Sequence, residues 1–240
     1  MMFAKDGPTF WELMQQALTS TREGYDLLAP KFDATPFRTP DAILEPAISS
    51  LGAVESALDV CCGTGAAMRF LRPLCRQRLV GMDFSPGMIQ EAKQKLAQVE
   101  GSAAVEFVEE DVLQMTFCAE FDIVTCFGAL GHILPEDQRT FLRLIHRALK
   151  PGGRFVFVVA PRLSFFSPIR LILRAFNAIM KIRNTLHKPP FIMYYLLFPL
   201  SLAEQMLPQE GFTVEVHTDL FPAPYQRYCR IIATREATYE

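Results

Sequence analysis

Apolar positions recur along this chain at two periods, and the change from one to the other marks its layout. From Thr9 to about Leu28 the spacing is helical, with Phe10, Leu13, Met14, Ala17 and Leu18 at the i, i+3, i+4, i+7, i+8 positions of one buried face. The run PFRTPDAILEPAISSL offers a second helix start, with Thr39 as N-cap, Pro40 at the first helical position and Asp41 in the first turn. Short apolar runs then follow at 56–61, 78–83, 104–109, 121–127 and 153–160. They alternate with helical patterns near 65–73, 86–99 and 136–149, the last closed by Lys150, Pro151 and a glycine pair. This alternation predicts βαβ units and a parallel sheet. It stops after Pro161 and resumes with VEVHT (214–218) and RYCRIIAT (227–234), joined by a turn too short for a parallel crossover, so an antiparallel hairpin is expected.

Composition narrows the class. The 240 residues suit one large α/β domain, and half are hydrophobic with 21% charged, as in a folded chain. A net charge of −2 gives no footprint for nucleic acid, so none is expected as a partner. The charge is unevenly spread, however. Between Pro161 and Ala203 stand Arg162, Arg170, Arg174, Lys181, Arg183 and Lys188 with no Asp or Glu. The six cysteines (61, 62, 75, 118, 126, 229) form no CxxC pair and read as reduced, packed thiols of a cytoplasmic protein. No metal-ligand cluster is apparent. The N-terminus lacks the apolar core of a secretory signal. The longest uncharged run, Pro189 to Ala203, is too short and too rich in proline for a spanning helix of about 20 residues.

The chemistry gathers at strand ends. ALDVCCGTG (57–65) puts a buried strand before a glycine-rich turn and a helix, a place where backbone can approach a nucleotide-like ligand. A dinucleotide fingerprint would need a third glycine where Met68 stands, which disfavours a nicotinamide cofactor. The next strand ends in VGMDFSPGM, where Asp83 can accept from a ribose diol. The third ends in FVEEDV, where Asp111 can accept from an adenine amino group while the Val112 amide donates to the ring. The fourth ends in CFGALGHI, and the fifth is announced by ALKPGGRFVFV.

Over residues 25 to 160 these segments resemble, in order and spacing, the motifs of class I S-adenosylmethionine-dependent methyltransferases, especially the small-molecule branch that includes quinone-ring methyltransferases. The resemblance implies a Rossmann-like three-layer α/β sandwich with a seven-stranded, mostly parallel sheet and a C-terminal antiparallel hairpin. It implies a single domain over 1–240, with a helical cap (1–50) and a helical acceptor-binding insertion (161–207). It also implies S-adenosyl-L-methionine as cofactor, with Asp59, Cys61, Gly63 and Gly65 in the loop under its methionine part and Asp83 on the ribose. Phe84 and Met88 would sandwich the adenine, Asp111 and Val112 would lie on its polar edge, and Phe127 and Gly128 beside the sulfonium. Tyr25, in YDLLAPKFD, matches an aromatic that closes over the cofactor. One position departs from the common D-x-G-x-G-x-G loop: Cys61 replaces the first glycine, which a small side chain can do if its backbone avoids positive φ.

A sulfonium methyl group needs an aligned nucleophile more than a catalyst, and a base only when the acceptor arrives protonated. His132, four residues past Gly128, is the best placed candidate, ahead of His146, His187 and His217. In PIRLILRAFNAIMKIR (168–183), Ile169, Ile172, Leu173, Phe176 and Met180 share one helical face and Arg170, Arg174, Asn177 and Lys181 another. With FIMYYLLFPL (191–200) this segment reads as a cover for a small apolar or amphipathic acceptor, with peripheral membrane contact through 163–200. Two other readings remain: a non-catalytic lipid-surface binding protein on the same fold, and an NAD-dependent oxidoreductase. Oligomeric state is not encoded in any motif.

Overall fold

Strands β1 (Val54–Val60) and β4 (Phe121–Cys126) have almost no exposed position, the mark of strands covered on both faces. With β2 (Cys75–Asp83), β3 (Ala104–Glu109), β5 (Leu149–Val159), β6 (Phe212–His217) and β7 (Cys229–Arg235) they form one sheet, ordered β3-β2-β1-β4-β5-β7-β6. The first five strands run parallel, while β7 pairs antiparallel with both β5 and β6. The computed structural model describes residues 7–159, 168–195 and 197–237, without the side chains of Ala17 and Ile169.

Helices α1 (Phe10–Leu18), α2 (Thr21–Leu28) and α3 (Asp41–Ser49) precede the sheet; α4 (Met68–Leu71), α5 (Pro86–Leu96) and α6 (Gln138–Ala148) connect its parallel strands. Then come α7 (Pro168–Leu186) and α8 (Leu200–Gln209). Period-two alternation splits the buried side chains of β1 between two cores. Ala57 meets Leu44, Ile48, Met68 and Leu71 of α3 and α4, whereas Leu58 and Val60 meet Phe141, Leu142 and Ile145 of α6. Gly81 of β2 has no room for a side chain, since a Cβ would lie 2.5 Å from the Met68 sulfur. A third, smaller core of Met180, Phe191 and Tyr194 gathers Tyr25, Leu134 and Phe176 around it and ties α2 and α7 together.

The strand pattern and the closing hairpin agree with expectation. Five details differ. The N-terminal helix is two helices broken at Thr19 and Ser20, because Thr9 with Glu12 and Ser20 with Glu23 each form a capping box. The face expected to be buried on α1 is not: Phe10, Met14 and Leu18 are exposed and, among its described side chains, Gln16 is buried, since α1 packs chiefly on α2. Pro40, not Thr39, is the N-cap of α3, extended at ψ 150° with no side-chain cap. The helix expected over 65–73 shortens to Met68–Leu71, its start consumed by the glycine loop and its end set before Pro73. Lys150 to Gly153 belong to β5 rather than serving only as a helix stop.

Within the stretch after Pro161, α8 buries Ala203 and Leu207 in the main core beneath β6, while α7 stands off the sheet. Ala160, residues 161–167 and Leu196 lie outside the described residues.

Candidate active site

The carboxyl ends of β1, β2 and β4 open onto one cavity of about 750 Å³, counted to its open mouth. Its floor is the loop after β1. Gly63 (φ 52°) and Gly65 (φ 78°) both lie in the left-handed region that glycine alone adopts freely. Around Gly63 a Cβ would meet nothing within 4 Å, so the cavity passes directly over its backbone, whereas a Cβ on Gly65 would lie 3.2 Å from the Ala92 Cβ of α5. Gly63 lines the cavity and Gly65 supports it from beneath.

Two acidic side chains face this floor. Asp83 accepts from the backbone N–H of Gly63 at 2.9 Å and of Ser85 at 3.0 Å. Burial nonetheless pushes its carboxyl up to about 6, against the lowering effect of those N–H donors. Asp59 accepts from the Thr125 hydroxyl at 2.6 Å, and burial pushes it up to about 7, with the nearby Asp83 adding to the rise. Two buried carboxylates held this close favour a ligand that brings hydroxyl donors and positive charge. That donor set and the open backbone at Gly63 fit a sulfonium nucleoside.

The cover comes from three distant segments. Tyr25 of α2 places its hydroxyl 2.8 Å from His132 Nε2, and His132 Nδ1 bonds to the carbonyl oxygen of Ile192. A carbonyl only accepts, so Nδ1 carries the hydrogen and Nε2 takes the one that Tyr25 donates. Burial lowers the His132 pKa and raises that of Tyr25, so the pair rests as neutral imidazole and neutral phenol. The Tyr25 ring stacks on Phe191 at 6.3 Å, and the Thr21 hydroxyl accepts from the Ile192 N–H at 2.8 Å. Asp26 fixes α2 to the start of α5, accepting from Ser85 Oγ at 2.6 Å and from the Gly87 N–H at 2.9 Å.

Of the residues expected from the sequence, Tyr25, Asp59, Cys61, Gly63, Asp83, Phe84, Met88, Phe127, Gly128 and His132 line the cavity. Gly65, Asp111 and Val112 do not. Asp111 lies past the end of β3, where its carboxylate accepts from the Leu113 N–H at 2.9 Å and caps a short turn, and Val112 is buried in the main core. Cys61 sits at φ 54°, so the replacement of the first glycine keeps the left-handed backbone that a side chain was expected to avoid. A hydrogen bond with Cys126 and burial push its thiol well up, so it is not a nucleophile. His146 packs on Phe212, His187 bonds to the Leu18 carbonyl and His217 pairs with Glu215, all outside the cavity. Sequence reasoning missed Phe37, Arg38 and Thr39, which line the cavity from a stretch that showed only a helix start, and Phe32, which lies in the YDLLAPKFD segment where Tyr25 alone was singled out.

This strand order, with an antiparallel last strand inserted beside β5 and a glycine loop opening onto carboxylates at the ends of β1 and β2, defines a Rossmann-like methyltransferase architecture. Residues 57–153 match the family model described as a methyltransferase domain. The chain is 30% identical over 168 residues to an uncharacterised methyltransferase of Synechocystis sp., covering 67% of this chain and 68% of that protein. It is 35% identical over 126 residues to the 2-phytyl-1,4-naphtoquinone methyltransferase of Nostoc punctiforme, covering 51% and 52% of the two chains, so it spans about half the length of that relative. Among solved structures, the magnesium protoporphyrin IX methyltransferase of Synechocystis with bound SAH has the same fold, with a TM-score of 0.57 at 19% identity over 82% of this chain and 81% of that one. The chain belongs to the class I S-adenosylmethionine-dependent methyltransferase family.

Proposed function

We propose that this protein transfers the methyl group of S-adenosyl-L-methionine to a small apolar or amphipathic acceptor by in-line displacement. The observation that carries the reading is that one cavity joins both halves of the chemistry, the glycine loop with its carboxylates on the floor and the Tyr25–His132 pair on the cover. Asp59, Cys61, Gly63 and Gly65 would hold the methionine part of the cofactor and Asp83 the ribose. Phe84 and Met88 would flank the adenine. Phe127 and Gly128 would lie next to the sulfonium, with Tyr25 closing above.

Bound there, the cofactor supplies a methyl group already activated on sulfur. What the chain adds is position, dryness and a proton acceptor. An acceptor O–H or N–H gives its proton to the Tyr25 oxygen as Tyr25 gives its own to His132 Nε2, leaving a neutral product and an imidazolium held by the Ile192 carbonyl. Phe32, Phe37 and Phe127 make the wall apolar, which suits a ring with a greasy substituent. The relative named for a phytyl-naphthoquinone supports that acceptor class. We assign segment 163–200 to a peripheral membrane contact of an otherwise cytoplasmic enzyme.

Calorimetry with S-adenosylhomocysteine and with NAD, followed by labelled-methyl transfer to quinols, phenols, amines and fatty acids, tests the reading. Binding of the homocysteine compound and a labelled product are expected. NAD binding in its place would overturn the cofactor assignment, and cofactor binding with no labelled product would favour a non-catalytic lipid-binding role.

A further inference from the structure

None of the described side chains of helix α7 lines the cavity. Its inner face holds the cover in place instead. The Asn184 side chain donates to the Phe191 carbonyl and accepts from the Phe191 N–H, both at 2.9 Å. Asn177 does the same with Tyr195 at 2.8 and 2.9 Å. Its outer face meets nothing described. Leu171, Ile172, Ile179, Ile182 and Leu186 are between 60 and 81% exposed, a run of apolar surface that marks a contact face.

Helix α1 carries a matching stripe. Phe10, Met14 and Leu18 recur every four residues with Trp11 beside them, and Phe10 and Trp11 are 66 and 77% exposed. The two helices meet at their C-terminal ends, where Arg183 donates to the Thr19 carbonyl at 2.9 Å and His187 to the Leu18 carbonyl at 2.8 Å. The α1 stripe therefore ends, at Leu18, against the turn of α7 that carries Leu186.

Charge decides what covers this surface. Arg174 and Lys181, seven residues apart, are exposed along one edge of the α7 stripe, and no acidic residue occurs between Pro161 and Ala203. A second copy joined through the same face by a twofold axis would bring these cationic edges together. An anionic lipid surface complements them and accepts the leucines, isoleucines, Phe10 and Trp11 below its headgroups. No described helix is long and apolar enough to cross a membrane, so the contact lies in the interface.

We propose that the outer faces of α1 and α7 together form a docking surface for an anionic lipid bilayer. This deepens the reading of the acceptor above and rests on it for the acceptor's route, since the helix that touches lipid is the one from which the cavity cover hangs.

Trp11 is the single tryptophan of the chain, so its fluorescence reports this surface alone. Vesicles rich in phosphatidylglycerol are expected to shift Trp11 emission to the blue, to make it quenchable by brominated acyl chains and to sediment the protein; phosphatidylcholine vesicles are expected to do so weakly. Arg174→Glu with Lys181→Glu should weaken binding at least about 30-fold, the loss of two cations worth roughly one kilocalorie per mole each at the surface, with charge reversal adding to it. Ile179→Asp with Ile182→Asp should abolish the emission shift. Neither pair touches the cavity, so S-adenosylhomocysteine affinity should stay at the wild-type value in both. Unchanged Trp11 emission with anionic vesicles overturns the proposal, as does a shift that follows protein concentration without lipid, which would assign the face to a second copy. Cofactor binding without vesicle binding would defeat the docking surface and leave methyl transfer standing; vesicle binding without cofactor binding would do the reverse.

Discussion

The floor and the cover of the cavity are built in opposite ways. Floor contacts stay within adjacent strands and turns of the sheet: Gly63 and Asp83 are 20 residues apart, on adjacent βα units, Ser85 is two residues from the carboxylate it binds, and Thr125, 66 residues from Asp59, is its register partner on β4. Cover contacts span 107 residues from Tyr25 to His132, 60 from His132 to Ile192 and 171 from Thr21 to Ile192. A floor of strand ends is positioned by the sheet and serves one invariant ligand. A cover assembled from three segments can be rebuilt for a different acceptor without disturbing the floor. The fit is still close, because a Cβ on Gly131 would lie 2.4 Å from the Tyr194 carbonyl oxygen.

The largest effect should come from separating the two halves at His132. His132→Gln is expected to lower kcat about 10²- to 10⁴-fold, the usual contribution of a positioned base, while S-adenosylhomocysteine affinity stays within about threefold. Burial lowers the His132 pKa, so the wild-type base stays neutral to a lower pH than free imidazole and kcat should fall only below that range. The variant should lose this acid limb. If cofactor affinity falls as far as kcat, the cover is part of the cofactor site and the division into two halves is wrong.

Asp83→Ala strikes the floor. Losing one charged hydrogen bond to a cofactor hydroxyl should weaken S-adenosylhomocysteine binding roughly 10- to 100-fold, at about 1.5–3 kcal/mol per bond. The N–H groups of Gly63 and Ser85 also lose their acceptor, so the melting temperature should drop with the affinity. A variant with unchanged calorimetric affinity would remove Asp83 from the site.

These contrasting ranges also explain what could be read before the fold was seen. The sheet and most of the floor were legible because strand, turn and carboxylate sit within a few residues of one another, and Asp59, Gly63 and Asp83 are found where the pattern puts them. Arg38 and Phe37 were not legible, since their place in the wall depends on how the cap folds over β1 rather than on any local period. Helix α1 misled for a physical reason: amphipathic spacing states that a face is apolar, not what it faces. Asp111 has the spacing of a ligand, yet its side chain closes on its own turn.

A smaller effect follows from the raised carboxyls. In the free protein Asp59 and Asp83 titrate at about 7 and about 6, above the 3.8 of an unperturbed aspartate, so they hold protons that an unfolded chain would release. Their contribution to the stability of the free protein is therefore complete below pH 3.8 and is lost as pH rises through 6 and 7. A cationic, hydroxyl-bearing cofactor favours the ionised forms and expels those protons. Cofactor affinity should rise about tenfold from pH 6 to pH 8, roughly one unit of linkage, and the melting-temperature gain on binding should widen with it. Calorimetry in two buffers of different ionisation enthalpy would count the released protons. An affinity independent of pH would mean that the carboxylates do not face the ligand. A pH dependence carried entirely by kcat would move the titration to the cover.

The smallest expected difference isolates the one place where the floor departs from the glycine pattern. Cys61 holds φ 54°, a conformation that costs a residue with a Cβ about 1–2 kcal/mol, and its raised thiol pKa leaves it no chemistry that would repay the strain. Cys61→Ala keeps the strain and loses the sulfur, whereas Cys61→Gly removes the strain. The glycine variant should therefore be the more stable of the two in urea by about 1 kcal/mol, the reverse of the order at an extended or helical position. Both should bind S-adenosylhomocysteine within about threefold of wild type, because the site needs only the backbone course at this residue. If alanine proves as stable as glycine, the neighbouring strands hold the left-handed turn without strain. The floor would then be rigid enough to accept any small residue at 61, which would widen its contrast with the cover.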